Sequence, residues 1–208
     1  MAKFSLVGTQ YGGWCIDLDL IPEKSTIISA GVGEDISFDK ELIKLKNCLV
    51  LGIDPTAKSA KYVSDNPQDN FEFINKALSH NLDKTVIYKN HNPEWVSESS
   101  LRSHNMVSED YYEAESTTIH ELLEKYDNVS LIKMDVEGSE YDIVNNLKPI
   151  EVPQICIEFH HFCSNKTWED TKRCILHMGS IGYNRFIEKP NSQQRYTELT
   201  FIHDKVDV

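Results

Sequence analysis

Apolar residues along this chain gather in short runs. Each run is followed by a polar turn and then by apolar positions three or four apart, the alternation of buried strands with amphipathic helices. Residues 26–30 read as a strand, and Phe38, Leu42 and Leu45 recur after it at helical spacing. Residues 48–53 form a second run that stops at Asp54-Pro55, where proline cannot donate the next ladder bond. Weaker strand patterns cover 71–78 and 85–88, while residues 89–116, Ser-rich and acidic, predict a long functional loop. Thr118 and Glu121 carry a capping-box signature, ahead of a strand at 129–135 and a helix bearing Ile143, Val144 and Leu147. Residues 154–159 predict another strand, and Thr167 with Asp170 opens a helix with Cys174, Ile175 and Met178 on one side. Segments 183–188 and 199–203 predict a closing hairpin across the polar 189–198 turn.

This order implies an α/β fold: a mostly parallel sheet with helices on both faces and an antiparallel C-terminal edge hairpin. Residues 1–24 read as an N-terminal hairpin or lid, with Tyr11-Gly-Gly-Trp-Cys15 suited to lie over a pocket; residues 25–208 read as one Rossmann-like domain.

Two turns carry candidate chemistry. The strand ending at Met134 runs into Asp135, Glu137, Gly138 and Glu140, and ligands of open α/β sheets collect at such carboxyl ends. An acid directly after a buried strand needs a partner, which gives Asp135 the strongest claim to function. Upstream, Gly31 and Gly33 follow a strand and precede a helix, the setting of a nucleotide turn, and Asp54 ends the next strand, where a carboxylate can accept from both ribose hydroxyls. A dinucleotide turn wants a third glycine where Ile36 stands, and Asp35 at the helix mouth repels a pyrophosphate. A phosphate-free, positively charged sulfonium suits Glu34 and Asp35 better, favouring S-adenosylmethionine over a nicotinamide dinucleotide.

At 208 residues the chain can bury a core of its own, and its net charge of −12 disfavours nucleic acid or an anionic membrane as partner while leaving a small-molecule or carbohydrate acceptor open. Cysteines 15, 48, 156, 163 and 174 have no CxxC spacing and read as reduced thiols. With no apolar run long enough to span a bilayer and no secretory pattern at the N-terminus, a cytoplasmic protein is expected.

The segment Ile132-Lys-Met-Asp-Val-Glu-Gly-Ser-Glu140 resembles the signature of the FkbM-type methyltransferases, which depend on S-adenosylmethionine, and residues 29–39, 54–56 and 157–161 resemble those of a branch of that family. The resemblance covers roughly residues 11 to 203. It implies a class I methyltransferase fold with a seven-stranded sheet. It also implies Gly31 and Gly33 against the cofactor's methionine part, Asp54 on its ribose and Asp135 near the reactive methyl. Ser29, Pro55 and Glu137 complete the expected cofactor site. The family often opens the glycine turn with an acid where this chain has Ser29, and Asp35 stands where it usually has a glycine.

Glu158, His160 and His161 end the strand that should neighbour Asp135, with Glu158 and His160 on one face and His161 on the other. Either imidazole is a candidate base for a hydroxyl proton, because histidine titrates near neutrality. Asp135, Glu137, Glu158 and His160 have the donors for Mg²⁺ or Mn²⁺, but without a dense ligand motif no metal is expected. Histidines 80, 91, 104, 120, 177 and 203 are scattered; His91, within the long loop, is a candidate to face substrate, and Tyr111-Tyr112 to cap a pocket. The expected activity is O-methylation of a sugar, glycan precursor or secondary metabolite. A nicotinamide-dependent oxidoreductase and a catalytically silent nucleoside-binding domain are its rivals.

Overall fold

The structure, a computed structural model, describes residues 3–161, 165–189 and 196–206. It opens with a hairpin of β1 (Phe4–Val7) and β2 (Trp14–Asp17). There follow β3 (Thr26–Ala30), α1 (Ser37–Lys46), β4 (Leu49–Ile53), α2 (Ala57–Asp65) and β5 (Phe71–Ile74). Next come β6 (Ala77–Leu78), β7 (Thr85–Asn90), β8 (Val107–Ala114), β9 (Ser116–Thr117) and α3 (Ile119–Lys125). The chain finishes with β10 (Val129–Met134), α4 (Glu140–Asn146), β11 (Gln154–Phe159), α5 (Trp168–Ser180), β12 (Arg185–Glu188) and β13 (Thr197–Ile202).

Seven strands build the main sheet in the order β12-β13-β11-β10-β3-β4-β5. β13 runs antiparallel to both its neighbours and the remaining pairs are parallel. The central strands are buried on both faces, which is why they read as unbroken apolar runs. Ile28, Leu51, Ile132 and Ile155 face the layer of α3, α4 and α5. Ile27, Val50, Leu131 and Cys156 face the other layer, where Phe38 and Leu42 of α1 pack beside Trp14 and Ile16 of the N-terminal hairpin. That hairpin is fastened by two buried bonds, Asp17 N–H to Gln154 Oε1 and Gln154 Nε2 to the Asp17 carbonyl, each 2.8 Å.

The sheet register positions the site. Ile53, Ala30, Met134 and Ile157 lie side by side across four strands. Asp54, Gly31, Asp135 and Glu158 therefore emerge next to one another at the carboxyl ends. Strand order reverses between β3 and β10, so this row straddles the switch point where α/β folds bind ligands.

Several expectations are corrected. The 89–116 segment is a loop only over 91–106: β8 fills 107–114, pairing with β7 so that Ile87 lies opposite Tyr112. Only Val107 and Ala114 of β8 are buried, so this two-stranded ribbon left too weak an apolar alternation to read. The 71–78 pattern is two strands, β5 in the main sheet and β6 against β9. Leu45 is half exposed, and the inner face of α1 is Phe38, Leu42 and Ile43. Thr118 caps α3 by accepting from Glu121 N–H, but the Glu121 carboxylate turns to Thr117; the box is complete only at Thr167 and Asp170. Cysteines 15, 48, 156 and 174 are free, whereas Cys163 and most of the 189–198 turn lie outside the described residues. No described helix is long and apolar enough to cross a membrane.

Leu42→Ala is expected to lower unfolding stability by about 2–5 kcal/mol, and Leu45→Ala by less than about 1 kcal/mol. Urea denaturation of the two variants checks this; equal losses would contradict the packing of α1.

Candidate active site

Gly31 continues β3 beyond its last pair, donating its N–H to the Ile53 carbonyl at 2.9 Å, while Asp135 N–H bonds Ala30 at 3.1 Å. At φ +80° a Cβ on Gly31 would lie 1.7 Å from the Asp135 carbonyl oxygen, so no other residue fits. Gly33, at φ +56°, meets nothing nearer than Val96 Cγ1 at 3.7 Å and leaves its backbone open to the cavity.

The turn between them is held from both sides. Asp54 Oδ2 accepts from Val32 N–H (3.0 Å) and Gly33 N–H (3.1 Å), and its Oδ1 accepts from Thr56 N–H (2.8 Å). On the opposite side, Lys133 Nζ donates to the carbonyls of Ala30 (3.0 Å) and Gly31 (2.5 Å) and stands 5.7 Å over the Trp14 ring. A carboxylate offers about four acceptor positions and Asp54 uses three, so it keeps room for one further donor rather than two ribose hydroxyls.

Asp35 takes the Ser37 N–H at 2.7 Å, so the mouth of α1 presents a carboxylate where a pyrophosphate would need bare N–H groups. Ser29 is buried beneath the turn, bonded to Asp39, and takes no part in the cavity wall: its place in β3 turns it toward α1. Pro55 does line the cavity.

Beside the turn lies a cluster centred on His160. Its Nε2 is 3.1 Å from Glu158, 3.4 Å from Glu137 and 3.6 Å from Asp135, and its Nδ1 is 3.2 Å from Glu140. Fully buried Glu140 also accepts the backbone N–H groups of His160 and Gly138, both at 2.8 Å, and so ties the acidic turn to the end of β11. Burial alone would lower the His160 pKa. The carboxylates of Glu140 and Glu137, with bonds to Glu140 and Glu158, outweigh it and hold that pKa well above the ordinary imidazole value. Burial, with the Asp135 charge, raises Glu158 to about 7. Burial also works upward on Glu137, but a bond from His104 and the charge of His160 prevail and hold it down to about 2.

His161, expected as an alternative base, lies behind the strand, its Nδ1 3.4 Å from Thr171 Oγ1 and its ring edge-on to Trp168. Strand alternation sends it away from the cluster. His104, read as scattered, belongs at the site, with Nε2 3.4 Å from Glu137. His91 is exposed and not in the wall. Tyr112 bonds Glu98 of the wall at 2.7 Å, while Tyr111 is exposed. Glu140, read only as part of the acidic turn, and Lys133, quoted only within the signature segment, had been given no place in the site. A lysine inside a buried parallel strand was the signal for one of them, since such a charge is rarely placed there without a task. Asp135, Glu137 and His160 bring one donor atom each within 4.8 Å of one another, from strand ends with no ligand motif between them.

The cavity spans about 780 Å³, within the range of small-molecule sites, and is covered in part by Tyr11–Trp14 of the hairpin turn. Its described wall carries nine carboxylates against two ammonium groups, a lining that suits a cationic sulfonium nucleoside and opposes a polyphosphate.

A family model described as methyltransferase FkbM domain matches residues 20–185. No curated protein sequence matches significantly. Among solved structures, the Methanococcus jannaschii fibrillarin pre-rRNA processing protein superposes with a TM-score of 0.54 at 12% identity, over 89% of this chain and 68% of that one. The TrmK protein of M. capricolum, solved with S-adenosyl-homocysteine, gives 0.50 at 12% identity over 90% and 65%. At such identity these likenesses show the fold, a class I methyltransferase sheet.

Gly31→Ala is expected to abolish cooperative folding or cost several kcal/mol, whereas Gly33→Ala costs only about 1–2 kcal/mol for its left-handed backbone. Urea denaturation distinguishes them; a benign Gly31→Ala would contradict the described turn.

Proposed function

The chain belongs to the FkbM methyltransferase family, whose cofactor is S-adenosylmethionine, and on that footing we propose that it methylates a hydroxyl oxygen of a sugar, glycan precursor or secondary metabolite. The observation that carries this reading is His160 ringed by carboxylates beside the glycine turn. The cofactor supplies an electrophilic methyl group; this chain's residues bind it, align the acceptor and take up its proton.

Asp54 and Pro55 serve the ribose end, with one free acceptor position on Asp54, and Gly31 and Gly33 let the backbone approach the methionine part. Asp135, at the switch point, stands between cofactor and acceptor. Glu158 is the better base than His160. A carboxyl with a pKa of about 7 is half ionised at neutral pH, whereas His160, held above its ordinary value, already carries its proton. His160 is then a positioning residue: Glu140 fixes Nδ1, so Nε2–H points at Glu158. Trp14, Trp95 and Tyr196 interleave with carboxylates in the wall, a combination that suits sugar faces and hydroxyls and disfavours anionic acceptors. Free thiols on the described chain accord with a cytoplasmic setting. Family membership replaces the nicotinamide reading; a silent domain would bind cofactor without turning over any acceptor.

A base active as the carboxylate gains activity as pH rises through its pKa. kcat/KM is therefore expected to climb through about pH 7, and Glu158→Gln to lower it ~10²–10⁴-fold and flatten that limb, while His161→Ala leaves it largely unchanged. A flat wild-type profile, or a Glu158→Gln enzyme with full activity, would sink the assignment.

Metal-free transfer is expected as well, because an ion on Asp135, Glu137 and His160 would have to displace the proton that the surrounding carboxylates hold on His160. Turnover should survive EDTA; loss restored by Mn²⁺ would instead place an ion on Asp135, Glu137 and His160.

A further inference from the structure

The described cavity wall holds two ammonium groups, and they differ in what they have left to give. Lys189 is spent: its Nζ lies 2.9 and 2.8 Å from the two Glu198 carboxylate oxygens and donates to the Gly13 carbonyl at 2.9 Å. Lys133 is not. Its Nζ donates to the Ala30 and Gly31 carbonyls, two of an ammonium's three donors, and no described carboxylate approaches it within ion-pair distance. Only 7% of the residue is exposed. Asp39, Asp135 and Glu198 act on it only from beyond contact, and the Trp14 ring lies 5.7 Å away; a buried charge with no carboxylate in direct contact is costly, and such groups are normally found paired.

The cofactor brings one anionic group, the carboxylate of its methionine part. Among the other charged groups of the described wall, Lys189 is spent on Glu198 and His160 is ringed by Asp135, Glu137, Glu140 and Glu158, while the rest are carboxylates and repel it. Position agrees with charge. Asp54 and Lys133 grip the turn from opposite sides; on the reading proposed above Asp54 serves the ribose, so Lys133 stands on the side left for the methionine part. We propose that Lys133 binds the α-carboxylate of the cofactor's methionine part, and so acts at once as the clamp on the glycine turn and as the anion site of the cavity. This rests on S-adenosylmethionine being the cofactor.

The test separates carboxylate binding from turn support by changing the ligand as well as the protein. Calorimetry on the full chain would compare S-adenosylhomocysteine, decarboxylated S-adenosylhomocysteine and methylthioadenosine, the last lacking the amino-acid part altogether. Wild-type protein should bind S-adenosylhomocysteine about 10- to 100-fold more tightly than its decarboxylated form. Lys133→Gln should weaken S-adenosylhomocysteine by a similar factor yet leave the other two nearly unchanged, and Lys133→Arg should keep most of the discrimination. If Lys133→Gln weakens all three equally, Lys133 only shapes the turn and the inference fails. If wild-type protein does not discriminate against the decarboxylated ligand, it fails without recourse to any variant, so a poorly folding mutant does not protect it. Wild-type protein that binds none of the three overturns the cofactor assignment as well, a result distinguishable from either of the others.

Discussion

The site depends on one constraint, the glycine turn after β3 being gripped by opposite charges from its two neighbouring strands. Asp54, ending β4, takes the N–H groups of Val32 and Gly33; Lys133, within β10, takes the C=O groups of Ala30 and Gly31. Apart from the Ala30 carbonyl, which also accepts from Asp135 N–H, these are backbone groups left over where the ladder ends, and a charged partner makes such bonds stronger than neutral ones. The grip works only with β3 between β4 and β10, which is the sheet's switch point. It also needs Gly31, since any side chain there would drive into the Asp135 backbone. Topology, strand end and residue type thus specify one small piece of geometry together.

The second organising feature is electrostatic. Asp135, Glu137, Glu140 and Glu158 converge on one imidazole from two strand ends and the first turn of α4. Concentrating carboxylates under cover costs several kcal/mol per unpaired ion, so the arrangement is poor as a stability device. Its effect is to sort the proton affinities of chemically similar groups: Glu137 is held near 2, Glu158 near 7, and His160 above its usual value. Carboxylates pushed apart in this way divide roles between binding and proton transfer. Glu140, wholly buried and touching no cavity, acts through His160 by fixing its ring.

The N-terminal hairpin joins core and site. Trp14 packs in the layer under α1, yet its ring also lies against the Lys133 ammonium and the cavity. Its turn is tethered to the C-terminal edge by Lys189, which bridges Gly13 and Glu198. The segment that read as a hairpin suited to lie over a pocket thus forms a hairpin whose turn lines the cavity.

The local signals in the sequence determined a good deal. Runs such as 48–53 and 129–134 are apolar because central parallel strands are buried on both faces, and that pattern alone implied the alternating architecture. Gly31, Gly33, Asp54 and Asp135 were legible because each breaks its run at a strand end, where ligands gather. Glu158, His160 and His161 were legible as a group, and alternation had already put His161 on the other face. What tertiary structure decided is which separated groups meet. That Glu140 and His104 belong to the His160 cluster depends on how α4 and the 97–106 segment lie over the strand ends, and no local spacing encodes it. Ser29 points into the core rather than the cavity because the strand's register, not its neighbourhood in sequence, sets its side. β8 escaped notice because its partner, β7, supplies the pairing while its own residues stay largely exposed. Short-range periodicity reports the burial of one element, whereas the charge balance of a site is a sum over elements, and only the folded chain performs that sum.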